Sequence, residues 1–311
     1  MHSKEKNAQK IAKNKKRRYN GRRDRMVFKI ERNPELKMKS DIIFKAFFSR
    51  KENEGFLQEF LETILKKRIK IKMVGHDVSL DKLEKDQKYG ILDLGVELEN
   101  GEYINIEIQL RDYHNIEERT TFYASKKISE QIKSGEGYND LKPVIIIAIL
   151  DYEFIELPEY VTETVRVAAE HRNYELNNSV KYYYIELSKF RKQNPDMTNP
   201  LNQWLSFLDM ERGDLLEMAS KENKNVKKAM ENYEVLTGDA EVKRLAEIRL
   251  MSKLEEKSAL LTEREAGREE GREEGIKEVA KKLLKEKIPI EKIAKITGLS
   301  EEELKELAKE E

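Results

Sequence analysis

Two carboxylates in neighbouring segments, Asp93 in ILDLGVEL (91–98) and Glu107 in YINIEIQL (103–110), are the residues of this sequence best placed to do chemistry. Each segment alternates apolar and polar residues, the two-residue period of a half-buried strand. Gln109 follows Glu107 by two positions and so shares its face. Two acids brought together on one face repel each other. A divalent cation removes that repulsion, and Mg²⁺ is typically held by one or two carboxylates, waters and phosphate oxygens, with no need of His or Cys. An ordinary solvated polar face is the alternative for the same pattern.

Whether the two acids meet depends on the turn between the segments. Glu99-Asn100-Gly101-Glu102 separates them, so they form a hairpin. Leu92, Leu94, Val96 and Leu98 are all at even positions, as are Ile104, Ile106, Ile108 and Leu110. Directly opposed residues of an antiparallel pair point to the same side. A two-residue Asn-Gly loop would pair Glu99 with Glu102 and put one apolar face in water. A three-residue loop, Glu99-Asn100-Gly101, with Gly101 left-handed as a bulge, keeps both apolar sets together. Leu98 then opposes Glu102, and Asp93 opposes Glu107. The polar face carries Asp93, Glu97, Asn105, Glu107 and Gln109.

The elements around the hairpin follow from periodicity. Residues 38–68 read as two helices, the first capped by Ser40 and the second by Asn53. Phe56, Leu57, Phe60, Leu61, Ile64 and Leu65 form the apolar stripe of the second. IKIKMVGHDV (69–78) alternates like a strand. A helix is expected from about Ile116 to Lys133, then a central strand VIIIAIL (144–150), buried on both faces, and a further strand YYYIEL (182–187). From Arg191 the pattern is helical. The single tryptophan, Trp204, reads as a packing residue.

Composition excludes several chemistries. The 311 residues contain no cysteine, which removes disulfides, Cys-ligated zinc, iron–sulfur clusters and thiol catalysis. The four histidines (His2, His76, His114, His171) are too scattered for a histidine metal site. No apolar run is long enough to span a membrane, and the basic N-terminus lacks the apolar core of a secretory signal, so a cytoplasmic address is expected. No Gly-x-x-x-x-Gly-Lys-Ser/Thr occurs, so no nucleotide cofactor is expected. Sixty basic residues balance sixty acidic ones, but residues 1–30 hold twelve Lys/Arg against two acids. Such a basic tail suits a nucleic-acid backbone through counterion release.

The segments SDIIFKAFF (40–48), ILD (91–93), NIEIQ (105–109), EERTTFYAS (117–125) and GEGYNDLKPVIIIAIL (135–150) resemble, in order and spacing, the PD-(D/E)XK nuclease superfamily. Within it they resemble the Rpn-type recombination-promoting nucleases. The resemblance covers about residues 36–190 and, more loosely, the C-terminus. It implies an α/β fold with a restriction-endonuclease-like core, a mixed central sheet flanked by helices, plus a helical C-terminal extension. It implies a metal-dependent DNA endonuclease of low sequence specificity, using Mg²⁺ or Mn²⁺ and promoting recombination or transposition. Asp93, Glu107 and the backbone carbonyl of Ile108 would hold the metal, and Asp41 would be an accessory acid. An acid in a first helical turn is also favoured by the helix dipole alone. Gln109 departs from the commoner Lys, as the Rpn-type group does, and leaves the positive charge unassigned. Arg119, Tyr123 and Lys126, on one helical face, are candidates, Arg119 and Tyr123 first. The rival readings are a catalytically inactive DNA-binding protein and an oligomerising scaffold. A transposase of the three-carboxylate type would need a third acid that no downstream residue supplies.

The organisation expected is a basic tail (1–34), a nuclease-like domain (35–190), a helical region (191–266) and a Gly-rich helix with a helical hairpin (267–311). Gly267, Gly271 and Gly275 fit either a helix face open to a partner, such as a second copy of the chain, or a frayed linker. In IPIEKIAKITGLSEEELKEL (288–307), Ile290, Ile293, Ala294 and Ile296 line one helix face, Gly298 ends it and Ser300 caps the next. The shape resembles a helix-turn-helix. Its second helix, with Glu301, Glu302, Glu303 and Glu306 against Lys305, is too acidic for a major-groove reader and suits protein contacts.

Overall fold

The structure, a computed structural model, describes residues 34–75, 94–132, 137–176 and 179–309. The basic tail through residue 33, Asp93, His2 and His76 lie outside the described residues. The first compact unit, residues 1–247, holds α1 (Asp41–Phe48), α2 (Glu54–Leu65), β1 (Ile71–Val74), β2 (Leu94–Leu98) and β3 (Tyr103–Gln109). These are followed by α3 (Ile116–Ser129), β4 (Val144–Leu150), β5 (Val161–Thr164), β6 (Val180–Glu186) and α4 (Leu187–Lys192). Helices α5 (Pro200–Asp209), α6 (Gly213–Glu222) and α7 (Lys224–Gly238) complete it, and α8 (Ala240–Lys285) begins there.

The strands form one mixed sheet in the order β1-β2-β3-β4-β6-β5. β3 pairs parallel with β4 and β4 with β6, while the outer pairs are antiparallel. Every residue of β4 is buried, as a central strand covered on both faces should be. The edge strand β5 was not expected from the sequence. It is short and only partly buried, so its alternation gives no hydrophobic signal.

The hairpin has the expected register. Leu94 opposes Ile106, Val96 opposes Ile104, and the Leu98 N–H donates to the Glu102 carbonyl at 2.9 Å. Gly101 sits at φ +85°, a conformation that glycine adopts without a side-chain clash, and closes the three-residue loop. Leu94, Val96, Leu98, Ile104 and Ile106 are all buried in one apolar core with α1, α2 and α5–α7. Trp204 belongs to this core, fully buried, with its Nε1 donating to Glu59 at 3.1 Å.

That core runs from Leu36 to Ala246, so the boundary drawn at residue 190 falls inside a single hydrophobic cluster. The helices after α4 are amphipathic and bury their apolar stripes in that same cluster, packing on α1, α2 and one another. Two expected caps are also corrected. Ser40 and Asn53 occupy the N-cap positions of α1 and of α2, yet neither side chain makes a capping bond. The Asn53 Nδ2 donates to the Phe47 carbonyl, and its Oδ1 accepts from Asn232, so tertiary partners outcompete the helix end.

The second unit, residues 248–311, contains the rest of α8, α9 (Ile290–Thr297) and α10 (Glu301–Leu307). Gly267, Gly271 and Gly275 lie inside α8, so the segment is helical, and a Cβ at any of them would meet nothing within 4 Å. The end of the chain is a three-helix cluster, whereas a two-helix hairpin was expected. Ala280 from α8 packs with Ile293, Leu304 and Leu307, because two short helices alone cannot bury an apolar face. Ile296, expected on that face, is 65% exposed. Gly298 is left-handed at φ +75°, and Ser300 and Glu303 form a capping box.

Candidate active site

The polar face of β3 is covered, not solvated. α3 lies across it, burying Thr120 and Ala124, and leaves Asn105 5% and Glu107 1% exposed. Both faces of β3 are therefore enclosed along residues 104–107. A charge so buried must find partners.

Glu107 finds them on one oxygen only. Its Oε1 accepts from Arg119 Nε at 2.9 Å, Arg119 Nη2 at 2.7 Å and Gln109 Nε2 at 2.6 Å. Its Oε2 is buried and has no hydrogen-bond partner among the described residues. Tyr123 supports Arg119 from one helical turn further on. Its hydroxyl is 3.5 Å from Arg119 Nη2, and its ring centroid is 5.7 Å from the guanidinium carbon. The structure thus brings Glu107, Gln109, Arg119 and Tyr123 together. Arg119 sets a positive charge against Glu107, where Gln109 is a neutral amide. Lys126, the third residue expected on this helical face, is exposed. Lys127 takes the place against the sheet, with its Nζ 4.7 Å from the Tyr103 ring centroid.

The backbone of β3 also has a direction. The Tyr103 N–H donates to the Pro143 carbonyl, and the Gln109 carbonyl accepts from the Asp151 N–H at 2.9 Å, so odd-numbered residues bond to β4. In a strand, alternate peptide groups face opposite neighbours. The Ile108 carbonyl is thereby turned toward the β2 side. The Ile108 side chain packs into the apolar core.

Asp41 begins α1, and its Oδ1 accepts from the Ile42 N–H at 2.9 Å, the dipole-favoured role. Two residues earlier, Lys39 Nζ bonds Asp151 Oδ2 at 2.9 Å, and Asp151 in turn adjoins Gln109. The start of α1 is thus tied to the edge of the sheet where β3 ends. Lys39 and Asp151 belong to a largely buried ionic cluster with Arg191, Asp209 and Glu211. Sequence reasoning missed this cluster, because its members come from four separate segments with no spacing in common. It also missed Tyr152. Burial, and then the nearby charges of Asp112 and Glu107, push its hydroxyl pKa well above the ordinary tyrosine value.

Among the described residues, no group of three or more His, Asp or Glu side chains is arranged to hold a metal ion. Glu107 nevertheless fits one. A buried carboxylate oxygen without a partner costs roughly 1–3 kcal/mol, and a cation would satisfy it.

The family model described as PD-(D/E)XK nuclease family transposase matches residues 38–263. The chain belongs to the PD-(D/E)XK nuclease family. A second model, the C-terminal HTH domain of the Rpn/YhgA-like nuclease family, matches residues 273–309. The mixed six-stranded sheet flanked by helices is consistent with the PD-(D/E)XK fold, and the C-terminal three-helix cluster coincides with the HTH match. No curated protein and no solved structure matches the chain.

Proposed function

We propose that this PD-(D/E)XK family member is a metal-dependent endodeoxyribonuclease that hydrolyses DNA phosphodiester bonds with low sequence specificity. The observation that carries this reading is the division of labour at Glu107: one oxygen saturated by Arg119 and Gln109, the other buried with no partner among the described residues.

Glu107 and the Ile108 carbonyl would hold the cation, Mg²⁺ or Mn²⁺. Asp93 is taken as the second carboxylate. In the observed pairs the residue numbers sum to 200, as in 94 with 106, and one further step of that register is what supports Asp93 opposite Glu107. When bound, the cation polarises a phosphate oxygen and lowers the pKa of a coordinated water. The chain's own residues do the rest. Arg119 balances the Glu107 charge and faces the phosphate with a planar donor set. Gln109 fixes the Glu107 rotamer through its amide N–H and presents an amide oxygen that can accept from the attacking water. Tyr123 holds Arg119 in place. Asp41, tied to the same sheet edge through Lys39, is the accessory acid. Water adds to phosphorus, the ester P–O bond breaks, and the leaving oxygen takes a proton.

The basic tail of residues 1–34 and the C-terminal HTH domain are the further DNA contacts of this reading, although α10 carries Glu301, Glu302, Glu303 and Glu306 against Lys305. That acidic helix favours protein contacts for its own face. The open glycine face of α8 suits self-association into a homo-oligomer. No described helix is long and apolar enough to cross a membrane. We assign the protein to the cytoplasm and its cutting to recombination or transposition.

Supercoiled plasmid incubated with the purified protein and Mg²⁺ tests the proposal. The wild type should nick it, and the metal-free protein and Glu107→Ala should not. Undiminished nicking by Glu107→Ala would overturn the assignment. In parallel, Mg²⁺ or Mn²⁺ should raise the melting temperature of the wild type and not of the variant.

A further inference from the structure

A cavity of about 350 Å³ opens beside the C-terminal half of α3. Gly75, Gly95, Glu97, Tyr103, Lys127 and Glu130 line it. The Tyr103 ring lies across the backbone of Gly95 so closely that a Cβ there would stand 2.1 Å from its hydroxyl oxygen. The absence of a side chain at Gly95 is therefore what lets the ring form one wall. Above the ring is the Lys127 ammonium, 4.7 Å from the centroid, with Glu130 Oε2 at 2.8 Å. Burial alone would lower the Lys127 pKa, but Glu130 and Tyr103 outweigh it and hold the group charged. The Glu130 side chain is 45% exposed, so water screens its pairing with Lys127 and another oxyanion can replace it.

Lys127 is two helical turns beyond Arg119 on the same flank of α3, with Tyr123 between them. At about 1.5 Å of rise per residue, the two cations are roughly 12 Å apart along the helix axis. Along a B-form duplex axis, at roughly 3.4 Å of rise per nucleotide, that spans about three to four nucleotides. We infer that the Lys127–Tyr103 cavity is a distal phosphate subsite for the DNA strand whose scissile phosphate lies at Glu107. In this arrangement Glu130 occupies Lys127 until a backbone phosphate displaces it. The inference rests on the nuclease reading above and adds a place where the substrate is gripped away from the reacting bond. It is a positioning subsite, and Lys127 touches no reacting atom.

The test uses the full chain carrying Glu107→Gln, so that DNA is bound without being cut. Its affinity for a labelled duplex of random sequence is measured across a salt series, alone and combined with Lys127→Ala, Lys127→Arg or Glu130→Gln. Lys127→Ala should weaken binding several-fold for every sequence and reduce the slope of log K against log salt by about 1. Lys127→Arg should restore the slope, and Glu130→Gln should tighten binding. A slope unchanged by Lys127→Ala, with Glu130→Gln inert, would overturn the subsite while leaving the nuclease reading intact. Failure of the parent Glu107→Gln to bind DNA at all would overturn both. Lys127 and Glu130 are both part-exposed, so neither substitution empties the core.

Discussion

The two faces of β3 solve the same burial problem in opposite ways. Ile104 and Ile106 enter the large apolar core, shared by α1, α2 and α4–α8, where their neighbours are apolar side chains. Asn105 and Glu107 are nearly as inaccessible, yet they lie under the single helix α3. There a charged side chain is satisfied on one oxygen and, among the described residues, unsatisfied on the other. The first face is optimised for stability. The second keeps a buried polar group unpaired, which costs free energy unless a ligand completes it. A strand can therefore be enclosed on both sides while only one side is finished.

Substitutions at neighbouring positions should separate the two roles. Ile106→Ala removes buried methyl groups from the finished face and should cost about 2–5 kcal/mol in a urea or thermal melt. Glu107→Gln, one residue away, should change the metal-free melt far less, because a buried charge with a free oxygen is removed along with its pairing. Equal losses at the two sites would break the comparison. The stability of a Glu107→Ala variant is a related matter. If repulsion from Asp93 alone governed Glu107, its removal would cost nothing. The Arg119 and Gln109 bonds predict a small loss instead.

Arg119→Ala should sharpen the contrast from the other partner. Its guanidinium is about a third exposed, so water can take over and the fold should hold. Cleavage should fall by roughly 10–100-fold, the usual effect of losing a residue that orients a ligating group. Arg119→Lys should rescue only in part, since one ammonium cannot repeat both guanidinium bonds to Oε1. Full activity in Arg119→Ala would remove it from the site.

The smallest effect belongs to the ionic cluster at the end of β4. Burial pushes the Glu211 carboxyl up, but bonds from Lys37 and Lys39 outweigh that and hold it below its ordinary value of 4.5. Its contribution is therefore present above that value and lost as the pH falls through the folded one. Asp209 has the opposite sign. Burial raises its pKa despite Arg191 and Lys39, so its contribution is present at low pH and lost as the pH rises. Glu211→Gln should accordingly narrow the stability difference between about pH 7 and pH 4, by no more than about 1 kcal/mol. An unchanged pH profile of the denaturation midpoint would show that the pairing contributes nothing.

The sequence alone determined the hairpin. The even positions of its apolar residues, with Asn100-Gly101 between them, leave one register that keeps both apolar sets in the core, and the observed pairs have it. It also determined the doubly buried β4 and the helix cap at Ser300, because local periodicity and cap chemistry act within a few residues. Tertiary structure decided what covers the polar face and how it is satisfied. That Glu107 is buried, that Arg119 and Gln109 converge on one oxygen and leave the other bare, and that Lys127 faces the sheet in place of Lys126 all depend on how α3 lies over β3. The cluster around Lys39 depends in the same way on segments far apart in the chain. Periodicity fixes which side of an element a residue is on. Only packing fixes what stands opposite it, and the chemistry of a carboxylate is set by its partners.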